Sequence, residues 1–270
     1  MVSFRDLVSG FKHLEIDPAK PVIVHASLSA VGDIRGGVDT ALGALLACYT
    51  NLMMPSFTFK TMLIPEDGPQ NNGLLYGSGK DTNRMAEFFT EGMPVDPLIG
   101  ELAEALRNHA EAKRSTHPIL SFCGIGVQDA LASQSLEEPF EPIMCLTEQQ
   151  GWVILLGVDH SVNTSLHVAE QHAGRRPFTR WALTPHGIVE CPNFPGCSDG
   201  FDQVAPYLVG MTRQTQVGNA ILQALPLDPM IQSVASIIRE DPEALLCERE
   251  NCPRCDAVRH HVHHPKQKAV

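Results

Sequence analysis

The sequence predicts an α/β fold, a sheet covered by helices, on three observations. Two short runs, PVIVHA and WVILLGV, have the nearly continuous apolar character of strands buried on both faces. Each gives way to a polar, glycine-bearing loop and then to a stretch with the 3.6-residue period of a helix. No fixed-period repeat and no linker-like composition divides the chain, so residues 1–270 read as one domain with insertions.

In chain order, Phe4, Leu7, Val8, Phe11 and Leu14 share one helical face, and Asp17-Pro18 ends that helix. The PVIVHA strand follows, then small polar residues, Gly36, Gly37 and a helix over 38–50 with Leu42, Leu45 and Leu46 inward. A second buried strand is expected at 51–54, closed by Pro55. Residues 57–83 are rich in Gly, Pro, Asn and Asp without a hydrophobic period, and read as a substrate-side loop or lid. Leu98, Leu102 and Leu106 place a helix over 96–109. Beyond the strand at 152–158, helices are expected at 165–173 and 214–225. Asp228-Pro229 resembles an N-cap with proline at N1, opening a helix whose apolar face holds Met230, Val234, Ile237 and Ile238.

A hydrophobic content of 43% over 270 residues is enough for a substantial core. No apolar run approaches the roughly 20 residues of a membrane helix. The opening MVSFRDLVSGFKHLEID lacks the basic and apolar regions of a secretory signal, so the expected location is cytoplasmic and no membrane partner is expected. With 20 Lys and Arg against 31 Asp and Glu, the net charge of −11 argues against nucleic acid and for a cationic small molecule.

Eight cysteines in a reducing compartment suggest metal ligands or buried small hydrophobes rather than disulfides. Cys48, Cys123 and Cys145 stand alone in apolar surroundings. Cys247, Cys252 and Cys255 cluster in CERENCPRC, inside a Cys-rich segment at about 240–262. Three thiolates lack one ligand for a tetrahedral structural zinc site. Cys197, in FPGCSDGF, is the expected fourth; His260 or another tail histidine is the alternative, and free thiols are the other reading. His260, His261, His263 and His264 also read as a solvated tail that binds metal adventitiously.

Three stretches carry chemistry. In LLGVDHSVNTSLHVAEQH a strand end, a polar loop and a helix start come together, and His167 and Glu170 fall three apart on one helical face. A carboxylate beside an imidazole orients it and raises its basicity, as a general base requires, although an exposed surface pair has the same spacing. In HASLSAVGDIRGG, His25, Ser27 and Ser29 alternate at a strand end before a glycine-bearing loop that can offer N–H groups to phosphate. Its glycines fit neither the P-loop nor the dinucleotide pattern. In RSTHPILSFCGIG, Arg114 could pair with a phosphate while His117-Pro118 fixes an extended backbone ahead of Ser121.

The order and spacing of VHASLSAVGDIRGG, RSTHPILSF and LLGVDHSVNTSLHVAE, from about Pro21 to Gly218, resemble the aminoglycoside 3-N-acetyltransferases. The resemblance implies an α/β/α sandwich unrelated to the GNAT superfamily, whose coenzyme-binding loop has no counterpart here. It implies acetyl-CoA as donor, an amine as acceptor, His167 as catalytic base and Glu170 as its partner. It implies that His25, Ser27, Leu28 and Ser29 lie along the pantetheine and that the Arg114–Ser121 segment approaches the nucleotide. Coenzyme A phosphates also need positive charge and backbone donors, for which Arg35, Gly36, Gly37, Arg114 and Ser121 are the candidates. Oxyanion donors are expected around Ser27, Leu28 and Ser29.

Residues 59–83 depart from the resistance enzymes, which bears on the acceptor. An aminoglycoside amine ranks first and another small amine second, with Asp159, Glu170, Asp199 and Asp202 as carboxylates for a polycation. Two further classes are weighed: a metal-dependent hydrolase using His25, Asp159, His160, His167 and Glu170, and a non-catalytic zinc-bearing binding protein. A homo-oligomer is compatible with the sequence.

Overall fold

The computed structural model describes residues 1–264. The first half of the chain runs α1 (Phe4–His13), β1 (Val22–Ala26), α2 (Leu28–Val31), α3 (Gly37–Leu46), β2 (Leu52–Pro55), β3 (Met62–Leu63), α4 (Lys80–Arg84) and α5 (Glu101–Arg107). Then come β4 (Lys113–Arg114), β5 (Phe122–Ile125), α6 (Gln128–Ala132), α7 (Glu141–Glu148), β6 (Trp152–Leu156) and α8 (Leu166–His172). The chain continues with β7 (Phe178–Thr184), β8 (Gly187–Phe194), α9 (Ala205–Leu208), β9 (Arg213–Val217), β10 (Ala220–Pro226), α10 (Leu227–Glu240) and α11 (Pro253–His263).

A seven-stranded sheet of order β4-β5-β2-β1-β6-β10-β9 forms the centre. β1 pairs in parallel with β2 and with β6, so the two runs with the most continuous apolar character lie side by side, Val22 opposite Trp152 and Ala26 opposite Leu156. Antiparallel strands extend both edges. Alternate side chains enter opposite layers. Val22, Val24, Leu52, Met54, Ile154 and Leu156 pack with α1, α3 and α5 on one face. Ile23, Met53, Val153 and Leu155 pack with α6, α7, α8 and α10 on the other. This is the expected α/β/α sandwich.

Helix formation follows local chemistry at both ends of the chain. Ser3 and Asp6 form a capping box that starts α1, and Leu7 and Phe11 bury its inner face. α10 buries Met230, Ile231, Val234, Ala235 and Ile238, close to the expected stripe, although it starts at Leu227 so that Asp228 lies within its first turn.

Three expectations change. Residues 214–225 form the β9–β10 hairpin, not a helix; Gly218 and Asn219 make a two-residue turn between paired Val217 and Ala220, with Gly218 at φ +61. The inward residues Val217, Ala220, Leu222 and Ala224 follow a two-residue period across that turn. The helix expected at 96–109 begins only at Glu101, and Leu98 is 85% exposed. Residues 57–83 carry structure of their own: β3 joins β7 and β8 in a second, three-stranded antiparallel sheet. Asn72 ties the same segment to β7, accepting from Thr179 N–H and donating to Thr179 O.

Candidate active site

The carboxyl ends of parallel β1 and β6 open side by side, and the loops leaving them form one wall of a cavity of about 930 Å³. Gly157 makes their approach feasible. Its φ of +67 suits glycine, and a Cβ there would lie 2.8 Å from Ala30 Cβ and 3.0 Å from Ser27 O. The second sheet and the segment after it form the facing wall, through Arg180, Phe194, Gly196 and Ser198.

His167 lines this cavity from the first turn of α8. Its Nδ1 donates to Glu170 Oε2 at 2.6 Å, which leaves the Nε2 lone pair for whatever occupies the cavity. The ring stacks on Phe140 and meets Phe201 at an angle, with centroids 5.7 and 4.8 Å away. The other carboxylate oxygen of Glu170 accepts from Arg175 at 2.8 Å, and Arg175 in turn donates to the carbonyls of Pro242 and Ala244. Burial pushes the Glu170 pKa up, but the hydrogen bond and charge of His167, then Arg175, outweigh it and hold the carboxyl below its ordinary value. The arrangement is a buried relay of arginine, carboxylate and imidazole. It can accept a proton at a fixed point on a cavity wall.

His25, Ser27, Leu28 and Ser29 also reach the cavity. Desolvation holds the His25 pKa down at about 3, and its Nε2 has no hydrogen-bond partner among the described residues. The N–H of Ser27 is spent on Leu156 O, while Leu28 and Ser29 open α2, where amides have no intrahelical acceptor. Ser27 and Ser29 hydroxyls lie 3.0 Å apart.

The structure does not bring the remaining coenzyme candidates there. Arg35, Gly36 and Gly37 are exposed at the entry to α3, where Arg35 N–H bonds to Val2 O. Arg114 turns inward and spends its guanidinium on the carbonyls of Ser56, Glu91 and Met93 and on Ser121 Oγ. Ser121 is fully buried beside it. His117 Nδ1 accepts from Ile119 and Leu120 N–H, so RSTHPILSF ties the strand β5 to its neighbours.

The proposed carboxylates likewise do not converge on the cavity. Asp159 accepts from Ser161, Asp202 from His160 N–H, and Asp199 pairs with Arg249. Glu101 is the carboxylate that lines it, together with Arg180 and Arg254, and none of the three stands out in the sequence. Arg175 was missed too, although its position just beyond α8, five residues from Glu170, was a usable signal. Among the described residues, one cluster could hold a metal: Cys197, Cys247, Cys252 and Cys255. His25, Asp159, His160, His167 and Glu170 do not form a metal-ligating group among the described residues, and the hydrolase reading is left without support.

The family model for aminoglycoside 3-N-acetyltransferases matches residues 23–239. The chain belongs to that family. It is 26% identical over 182 residues to the SPbeta prophage-derived aminoglycoside N(3′)-acetyltransferase-like protein YokD of Bacillus subtilis, covering 62% of this chain and 64% of that one. To aminoglycoside N(3)-acetyltransferase III of Pseudomonas aeruginosa it is 30% identical over 182 residues, covering 63% and 64%. Both matches span under two thirds of the relative's own length. The crystal structure of aminoglycoside acetyltransferase AAC(3)-IVa superposes with a TM-score of 0.78 at 24% identity, covering 96% of this chain and 97% of that one. AAC-IIIb with CoASH superposes at 0.70 and 20% identity, covering 88% and 96%. These two likenesses establish the fold. No helix among the described residues is long and apolar enough to cross a membrane.

Proposed function

We propose that this chain transfers the acetyl group of acetyl-CoA to an amine of an aminoglycoside, with His167 as general base. The observation that carries the reading is His167 on the cavity wall, its Nδ1 held by buried Glu170 at 2.6 Å. Family membership supports the reaction class, and the CoASH complex of AAC-IIIb supports the donor.

The acceptor must reach the thioester as a free amine, because an ammonium has no lone pair. His167 Nε2 takes the proton as the nitrogen bonds to the thioester carbonyl carbon. Glu170 stabilises the imidazolium that results, and Arg175 keeps Glu170 ionised. The amides of Leu28 and Ser29 stand as donors to the developing oxyanion. Collapse breaks the carbon–sulfur bond, and the proton held by His167 passes to the departing sulfur. Direct transfer of this kind needs no acyl-enzyme. The eight unbridged cysteines and the donor both suit a cytoplasmic location.

A second reading concerns the acceptor alone. With one carboxylate, Glu101, against two guanidinium groups, Arg180 and Arg254, the cavity charge favours an amine that also carries an acidic group. Thiol release from acetyl-CoA, measured on a panel of aminoglycosides and of amines bearing carboxylate or phosphate, separates the two. Turnover on an aminoglycoside supports the first and turnover confined to the acidic amines the second. No turnover on either set contradicts the enzyme reading.

A further inference from the structure

We propose that Cys197, Cys247, Cys252 and Cys255 bind one zinc ion as a closed tetrathiolate site, and that this site fixes the cavity wall behind the His167–Glu170 pair. The inference goes beyond the proposed reaction and does not depend on the acceptor.

The four ligand sulfurs lie within 4.8 Å of one another, and each residue is at least 95% buried. Four thiolates around zinc at about 2.3 Å stand about 3.8 Å apart. The cluster brackets that spacing, with Cys255 Sγ 3.4 Å from Cys247 Sγ. The expected fourth ligand, Cys197, comes from a segment 50 residues before Cys247 in the chain.

The surroundings are those of a thiolate site. Cys247 N–H points to Cys255 Sγ at 3.4 Å, and Arg249 reaches Cys197 Sγ at 3.5 Å and Cys252 Sγ at 4.0 Å. Arg249 is itself held by Asp199 at 2.6 Å. Such donors offset the negative charge that four thiolates leave around a divalent ion. Soft sulfur ligands in tetrahedral array select zinc over oxygen-seeking cations, and a full set of four leaves no position for substrate. Binding releases the thiol protons to solvent.

The site touches the catalytic wall from two directions. Gly196 and Ser198, either side of Cys197, line the cavity, and a Cβ added at Gly196 would lie 3.5 Å from the Glu170 carboxylate. Arg254, between ligands Cys252 and Cys255, donates to Gly196 O at 2.8 Å and lines the same cavity. The carbonyls of Pro242 and Ala244, which hold Arg175, lie just before Cys247. Gln203 Nε2 donates to Leu246 O at 3.3 Å and ties the two segments again. An ion joining Cys197 to the 247–255 turn therefore clamps both the loop beside Glu170 and the carbonyls behind Arg175.

The test uses the full chain, purified without an added histidine tag, dialysed against a mild chelator and analysed for metals. One zinc per chain is expected, lost in Cys255→Ser and retained when His260, His261, His263 and His264 are all replaced by alanine. Cobalt exchanged into the wild type should give the intense visible bands and sulfur charge-transfer of tetrahedral thiolate, which decides the matter even if Cys255→Ser does not fold. Hydrogen exchange should rise on zinc removal in residues 194–200 and 242–258 while α3 stays protected. A metal-free chain whose thiols all react, iron in place of zinc, an octahedral cobalt spectrum or metal that leaves with the histidines would overturn the site. Unchanged exchange in those segments would overturn its clamping role.

Discussion

Replacing Glu170 by glutamine probes the relay at its centre, because the amide keeps the size of the carboxylate and removes its charge. Glu170 accepts from His167 at 2.6 Å and from Arg175 at 2.8 Å, and all three side chains are at least 91% buried. An amide has one oxygen for two donors. Arg175 is always charged, so the oxygen faces it and the NH2 faces His167, forcing Nδ1 to accept and moving the ring proton to Nε2. That tautomer cannot take a proton from the acceptor amine. Loss of a general base is worth roughly 10²–10⁴ in rate. Arg175 also keeps a buried charge without its counter-ion, which costs about 3–5 kcal/mol. For a chain of this size, that corresponds to a fall in Tm on the order of 10 °C. Thiol-release kinetics and urea unfolding measure the two effects on one preparation. A Glu170→Gln protein with wild-type kcat and unchanged stability would refute the relay.

Two further outcomes follow from the same geometry. Burial holds the His25 and His117 pKa values at about 3 and about 4, below the ordinary 6.5. The unfolded chain binds protons the folded one refuses, so this contribution is complete above pH 6.5 and falls as the pH drops toward those values. Each histidine adds a slope of about 1.4 kcal/mol per pH unit once its unfolded form is protonated. Urea unfolding across that range should show the slope reduced in His25→Leu, and an unchanged slope would contradict the neutral, buried assignment. Gly157→Ala must hold φ +67 and meet Ala30 and Ser27 at 2.8 and 3.0 Å, a strain of about 1–3 kcal/mol that displaces the Ser27–Ser29 turn. Its kcat should fall while the chain still folds; wild-type kcat and Tm would count against that turn.

What was legible in the sequence was what local pattern controls. β1 and β6 announced themselves because central parallel strands are apolar on both faces, and α1 and α10 because each has one buried stripe. His167 and Glu170 were readable because their pairing is set by the pitch of one helix. The second sheet was not, since β3 meets β7 through just two pairs, Met62 with Ala182 and Leu63 with Trp181, far apart in the chain. Arg114 misled for a related reason: its sequence shows a charge beside a histidine-proline pair, whereas its partners are carbonyls contributed by distant segments at Ser56, Glu91 and Met93. Arg180 and Arg254 escaped because their approach to one cavity depends on that second sheet and on the fold of the cysteine turn. The place of Cys197 beside the other three thiols was readable because a tetrahedral site short of one ligand asks for one more soft donor, for which His260 was the alternative.

The central claim is that His167 acts on the acceptor, and His167→Ala tests it most directly when turnover and donor binding are measured together. The account predicts that thiol release on an acceptor used by the wild type falls by roughly 10²–10⁴ while calorimetry returns an unaltered affinity for acetyl-CoA. Turnover close to wild type in this variant would contradict it.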